Sequence, residues 1–233
     1  MPLSDTPRST RAHVAAALRE AILAGELPPG ARLHQDRLRH DHDVSAAPVR
    51  EALRQLETEG LVVHRPNRGV FVADVSPREL RDVLLPLRLH LERYALDRAV
   101  ARDRAGLCGR LAPLVDRMAR AAARGDLRGV TEADVEFHRT LVAAADAPQT
   151  AQLWGSIQWR LRVQFHRLGA PEHRLDAITE EHAVLLEAIR DGDTATRHAA
   201  LRAHIVDAAE RLLGPDSDTV PAAGPVPSGG PAA

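Results

Sequence analysis

The chain has 233 residues, 44% of them hydrophobic, enough to give each of two small domains a core. No run approaches the ~18 consecutive apolar residues of a membrane span and no signal peptide opens the chain, which predicts a cytoplasmic protein without membrane contact. The single cysteine, Cys108, excludes an internal disulfide, and the net charge of −1 is uninformative by itself.

Taken in chain order, residues 1–9 read as a frayed arm. Thr10 to Ala24 follows as an amphipathic helix with Val14, Leu18, Ala21 and Ile22 inward, closed by Gly25. Pro28-Pro29-Gly30 turns the chain into a short helical run over 32–42, and Asp43-Val44 makes a tight turn. Ser45 is then a good N-cap for a helix carrying Val49, Leu53 and Leu56 on one face and ending at Gly60. Pro48 falls in its first turn, where the missing N–H has no intrahelical partner to lose. Beyond Gly60 the period becomes extended: Leu61 to His64, a turn at Pro66-Asn67-Arg68-Gly69, then Val70-Phe71-Val72, a two-stranded wing. Helix, turn, helix and wing in this order predict a device that lays one helix in a groove of DNA.

Ser76-Pro77-Arg78-Glu79 is a capping box with proline at the first helical position, and it places a boundary between residues 1–75 and a second domain, 76–213. From there helical periods succeed one another over 77–103, 106–123, 126–145, 148–168, 174–191 and 194–213, with Pro86 expected to kink the first. About six or seven helices of this kind make an all-α antiparallel bundle. The fold class is therefore mostly α, a winged helix-turn-helix followed by a helical bundle. Residues 214–233, rich in Pro, Gly, Ala and Ser, have nothing to bury and read as a disordered tail.

With these elements placed, LREAILAGELPPGARL, then VSAAPVREALRQLETEGLV and PNRGVFV, resembles the winged helix-turn-helix of GntR-type bacterial transcription regulators. The remainder is similar to their FadR-type branch, with an all-helical FCD effector domain; the resemblance runs over about residues 10 to 213. It implies a homodimer on a pseudo-palindromic double-stranded DNA operator, a repressor more often than an activator, with Ser45, Arg50, Asn67, Arg68 and Gly69 at the DNA. Two departures stand out, because Asp36 and Ala46 occupy positions where the family usually carries arginine. The charge balance agrees with them, since residues 1–75 hold ten arginines against ten Asp and Glu.

In the bundle, three apolar stripes each turn ionisable residues inward. On 126–145, Val130, Phe137, Leu141 and Ala145 are joined by Asp134 and His138, which an i, i+4 spacing aims from one face. On 174–191, His182 is in register with Ile178, Leu185 and Ile189. On 194–213, His204 stands beside Leu201, Ala208 and Leu212. One carboxylate and three imidazoles suit a divalent metal, zinc first, with nickel or manganese as alternatives. The competing reading is a set of satisfied core histidines around a paired aspartate. The resemblance agrees with the metal reading, since metal-binding FCD domains carry Asp-x-x-x-His, a later Glu-His pair and a last histidine. Asp134, His138, Glu181-His182 and His204 match in turn. It implies a small carboxylate effector at the metal rather than a fatty acyl group.

Arg88, beside the inward face of the first bundle helix, either pairs with a ligand carboxylate, as the family's R-x-x-x-E arginine does, or closes an i, i+4 salt bridge to Glu92. Arg160, Arg162 and Gln164 are further pocket candidates that periodicity does not separate. Two other functions fit parts of the pattern: a sensor whose winged domain binds a protein partner, and a metalloenzyme built on the bundle. No Glu-x-x-His occurs anywhere in the chain, and a di-iron bundle needs two, so the enzyme reading is the weakest and the protein is read as no enzyme.

Overall fold

In a computed structural model, residues 7–167 and 175–213 are described, with side chains over 10–161 and 175–213. Residues 1–6 of the expected arm, the tail from Gly214, and the side chains of Arg162 and Gln164 lie outside these ranges, while residues 7–9, expected in the arm, belong to the first helix. Helix α1 (Pro7–Leu23) buries Val14, Leu18 and Ile22 and stops at Gly25, whose φ of 77° is the left-handed conformation a glycine adopts freely. The chain then forms a short strand, β1 (Arg32–Leu33), where a helical start was expected. The physical reason is a pair of backbone bonds on either side of Gly30, from Gly30 N–H to the Val72 carbonyl (3.1 Å) and from Val72 N–H to the Ala31 carbonyl (2.8 Å). They draw residues 30–33 alongside the wing, so helix α2 (Gln35–Asp41) starts only after His34.

Helix α3 (Ala46–Thr58) turns Val49, Ala52, Leu53 and Leu56 into the core. Ser45 holds the N-cap position with extended backbone, but its hydroxyl makes no capping hydrogen bond, contrary to its expected role. Strands β2 (Val62–Arg65) and β3 (Gly69–Val72) pair antiparallel with Val63 opposite Phe71 and Arg65 opposite Gly69. β1 adds to the other edge of β3, giving the order β1-β3-β2, a three-stranded sheet instead of two strands.

Ser76 Oγ accepts from Glu79 N–H at 3.1 Å and starts a short helix α4 (Pro77–Glu79). Pro86 cannot donate to the carbonyl four residues back, and the chain answers with a widened π turn over Leu80–Leu84, in which Leu85 N–H reaches the Leu80 carbonyl. Helix α5 (Leu85–Ala122) then runs on, broken only at Asp103 (φ −162°, ψ 82°), whose carboxylate accepts from Gly106 N–H at 2.8 Å. The break expected near Gly106 is thus a cap made by Asp103.

Helices α6 (Leu127–Ala144), α7 (Pro148–Arg167), α8 (Leu175–Asp191) and α9 (Thr194–Arg202) follow, and a second π turn over Ala203–Asp207 leads into α10 (Ala208–Leu213). Asp126 and Asp193 cap α6 and α9, accepting from Gly129 and Thr196 N–H at 2.8 Å each. α5 packs along α6 and α8.

Two large apolar cores result among the described residues, with a small third cluster at Ala121, Val130 and Leu175. One gathers Val14 through Val72, and a larger one gathers Val75 through Leu213 around Phe137, Leu96, Leu107 and Leu141. Among the described residues no helix is long and apolar enough to cross a membrane.

Candidate metal centre

Asp134 and His138 project from one face of α6, His182 from α8, and His204 from the second π turn. One ligand atom from each of the four lies within 4.8 Å of all the others. The widened turn matters at His204, because an added residue in the helical ladder re-aims the side chain it carries. His138 and His182 are fully buried, and Phe137 presents its ring edge-on to both, closing the dry side of the cluster.

Hydrogen-bond partners fix two of the three ring orientations. His138 Nδ1 lies 2.8 Å from Glu92 Oε2; an ionised carboxylate only accepts, so Nδ1 carries the proton and Nε2 keeps its lone pair. His182 Nδ1 lies 2.7 Å from the Ile178 carbonyl and must likewise donate. Its Nε2 is buried, 3.2 Å from Asp134 Oδ1 but not aligned for a hydrogen bond, and it has no partner among the described residues. His138 Nε2 and His204 Nε2 stand 2.9 Å apart, while His204 Nδ1 is 3.5 Å from Glu181 Oε2. Imidazole nitrogens turned inward, with their other nitrogens held by a carboxylate or a carbonyl, form the arrangement that outer partners impose on metal-binding histidines.

Glu92 is the hub behind the cluster. Fully buried, it accepts from His138, from Arg88 Nε (2.8 Å) and from Trp154 Nε1 (2.8 Å). Burial alone would raise its pKa, but the Arg88 guanidinium and His138 hold the carboxyl well below the usual range. Burial pushes the His204 imidazole well below its ordinary value, with His182, His138 and Arg88 acting the same way. For His138 burial also prevails, against the pull of Glu92.

Sequence reasoning brought Asp134, His138, His182 and His204 to one place, and the structure does the same. It left Arg88 open between two partners; here Arg88 Nε pairs with Glu92 while the residue also lines the cavity next to Asp134 and His138. What it missed is Glu92 as the partner of His138 and Glu181 as the neighbour of His204. No local spacing signals a bond spanning from α5 to α6. Arg160 turns away from the cavity, its Nη1 donating to the Ser156 carbonyl (2.6 Å) and its guanidinium lying against Gly60.

The cavity beside the cluster has a volume of about 1130 Å³ and is walled by α1 on one side and by the bundle on the other. In the winged part, Arg50 is exposed on α3 opposite the buried stripe, with Arg54 exposed one turn on, a residue not singled out from the sequence. Asn67 (φ 60°) and Arg68 form the exposed wing tip, and Gly69 (φ 103°) opens β3. Asp36 is exposed and pairs with Arg39 at 3.2 Å.

A winged helix-turn-helix joined to a helical bundle with a histidine and carboxylate cluster at an internal cavity defines a class: a transcription regulator with a separate effector domain. Comparison with known proteins agrees in both halves. Residues 10–72 match the bacterial regulatory proteins of the gntR family, and residues 83–207 match the FCD domain. The chain belongs to the GntR family of bacterial transcription regulators, in the branch that carries an FCD effector domain. It is 30% identical over 225 residues, 92% of this chain and 94% of the relative, to an HTH-type transcriptional regulator of an unstable DNA locus in Streptomyces ambofaciens. To a protein of Paenarthrobacter nicotinovorans named as a D-xylose utilization operon transcriptional repressor it is 28% identical, over 87% of this chain and 90% of that one. A crystal structure described as a transcriptional regulator GntR from Rhodococcus sp. RHA1 superposes with a TM-score of 0.71 at 29% identity, covering 89% of this chain and 99% of that one.

Proposed function

We propose that this regulator is a repressor that reads a carboxylate effector at a divalent metal ion held by Asp134, His138, His182 and His204. The observation that carries this reading is the buried Nε2 of His182, which faces the other three donors, Asp134 Oδ1 at 3.2 Å, and has no aligned hydrogen-bond partner among the described residues. A bare, buried ring nitrogen costs free energy unless something accepts its lone pair, and a cation is what the neighbouring carboxylate and imidazoles also suit. Zinc fits the imidazole-rich set first; nickel and manganese fit if further positions are filled by ligand or water. When bound, the ion supplies a Lewis-acidic point for an anionic effector. Arg88, already charge-paired with Glu92 and facing the cavity, presents its guanidinium to the same carboxylate.

In this reading residues 1–75 bind DNA and 76–213 bind effector, a division supported by the two separate cores. Two chains pair on a pseudo-palindromic operator, with Arg50 reading base edges from α3 and Asn67, Arg68 and Gly69 at the wing. Val83, Leu87 and Tyr94 at the start of the bundle, and Leu153 on α7, are exposed apolar residues of the kind an interface between copies would cover. A DNA-bound regulator works in the cytoplasm.

The test is a gel shift of the full-length protein on the DNA upstream of its own gene, run with zinc and with chelator and paired with elemental analysis. Specific retardation and a stoichiometric metal are expected. Metal without any DNA retardation would favour the sensor that docks a protein through its winged domain, the reading that Asp36 and Ala46 keep open.

A further inference from the structure

The cavity is far larger than the small acid implied by the family resemblance would require, and most of its wall is apolar, so its shape departs from that expectation. At about 30 Å³ per water-sized group, an acid of six heavy atoms would fill roughly a sixth of the 1130 Å³. Arg88, Asp134, His138, His204 and Glu181 gather at one end. The apolar part of the wall includes Ala17 and Ala21 of α1 and Val130, Val135, Leu161 and Ile205 of the bundle. The small side chains on α1 are what leave the space open.

The charged groups along this wall leave an acidic excess, for Glu26 lines it as well and both Arg19 and Arg128 are committed to glutamates. Arg19 holds Glu59 through a bidentate pair (2.7 and 2.9 Å), and Arg128 holds Glu20 (2.8 Å) and Glu132 (2.9 Å). A second anionic group on the ligand would meet these carboxylates, with Arg19 and Arg128 already committed to glutamates. A ligand that suits both ends therefore carries one charged head and a long uncharged body.

Resting on the metal and carboxylate reading above, we propose that the effector is a monocarboxylate with an extended apolar body, its head at Arg88 and the histidine cluster and its body in the compartment between α1 and the bundle. α1 also packs on α3, the helix offered to DNA, so the body of the ligand touches the winged domain itself. Occupancy is then felt at α3 through one helix, without a relay across the bundle.

The experiment is calorimetry on the zinc-loaded full-length protein with straight-chain monocarboxylates from acetate to decanoate, and with succinate and gluconate. Affinity should rise roughly fourfold for each added methylene until the compartment is full, the gain expected for burying one such group. Succinate and gluconate should bind no better than acetate. Ala21→Phe, which fills the compartment from the α1 side, should abolish most of the gain for octanoate with zinc content unchanged. Ala208→Phe fills it from the bundle side and serves if the first variant does not fold. Equal affinities for acetate, gluconate and octanoate, or octanoate binding indifferent to both variants, would overturn the apolar compartment and leave the metal and carboxylate reading standing. Zinc retained with no carboxylate bound at any length would overturn both.

Discussion

His182 is the residue whose removal tests the centre most directly, since its Nδ1 is committed to the Ile178 carbonyl and its Nε2 has only the cluster to serve. His182→Ala should lose metal and lower the thermal midpoint in zinc, while His64→Ala, exposed on the wing, should do neither. Elemental analysis and melts of both variants beside the parent decide it; unchanged metal in His182→Ala reduces the cluster to core histidines. The titration of the same residues gives a second expectation, for protein stripped with chelator. His204 and His138 keep pKa values below the ordinary imidazole value of about 6.5 because burial disfavours their charged forms. The unfolded chain takes up protons that the native state refuses once the pH falls below that value. Stability should therefore be highest above pH ~7 and decline as the pH falls through 6 towards 5. Chemical denaturation at stepped pH measures this, and a midpoint that rises on acidification would contradict it.

Among the elements, α3 and the wing divide the proposed DNA contact unequally. Arg50 lies on the exposed face of a helix pinned by Val49, Leu53 and Leu56, whereas Arg68 sits at the tip of a two-stranded turn. Arg50→Ala should weaken specific operator binding by about 1–3 kcal/mol and Arg68→Ala by less, as a lost base contact differs from a lost backbone contact. Small, equal losses in a quantitative gel shift would mean that α3 is not the reading helix. The turn after α3 is a separate constraint. Gly60 has a φ of 78°, and a Cβ there would fall 2.6 Å from Arg160 Cζ, so α7 rests against the end of α3 through this glycine. Gly60→Ala should cost roughly 1–2 kcal/mol from the left-handed backbone alone. Adding Arg160→Ala relieves the collision but not the backbone term, and recovery in a denaturant titration should be partial.

For the whole molecule, the proposed pairing of two chains would set how far apart the two α3 helices stand. Light scattering should report a dimer, and footprinting should protect two half-sites about one helical turn of DNA apart. A stable monomer protecting a single half-site would remove the symmetric operator from the reading.

The sequence by itself determined much of this protein. Helical period, the glycines at 25 and 60, and the Ser76 cap placed nearly every helix, because these are local effects written within a few neighbouring residues. It also put Asp134, His138, His182 and His204 on inward faces, since burial of a stripe fixes which way each side chain points. Tertiary structure decided the rest. β1 exists because Val72 offers its backbone groups to residues 30 and 31, and Ser45 lost its capping bond, although the cap position was placed correctly. Glu92 reaching His138 is a contact 46 residues apart. The cavity is larger still in its dependence on the fold, for it is the space left where the alanine face of α1 meets the bundle, and no single segment encodes a space between two others.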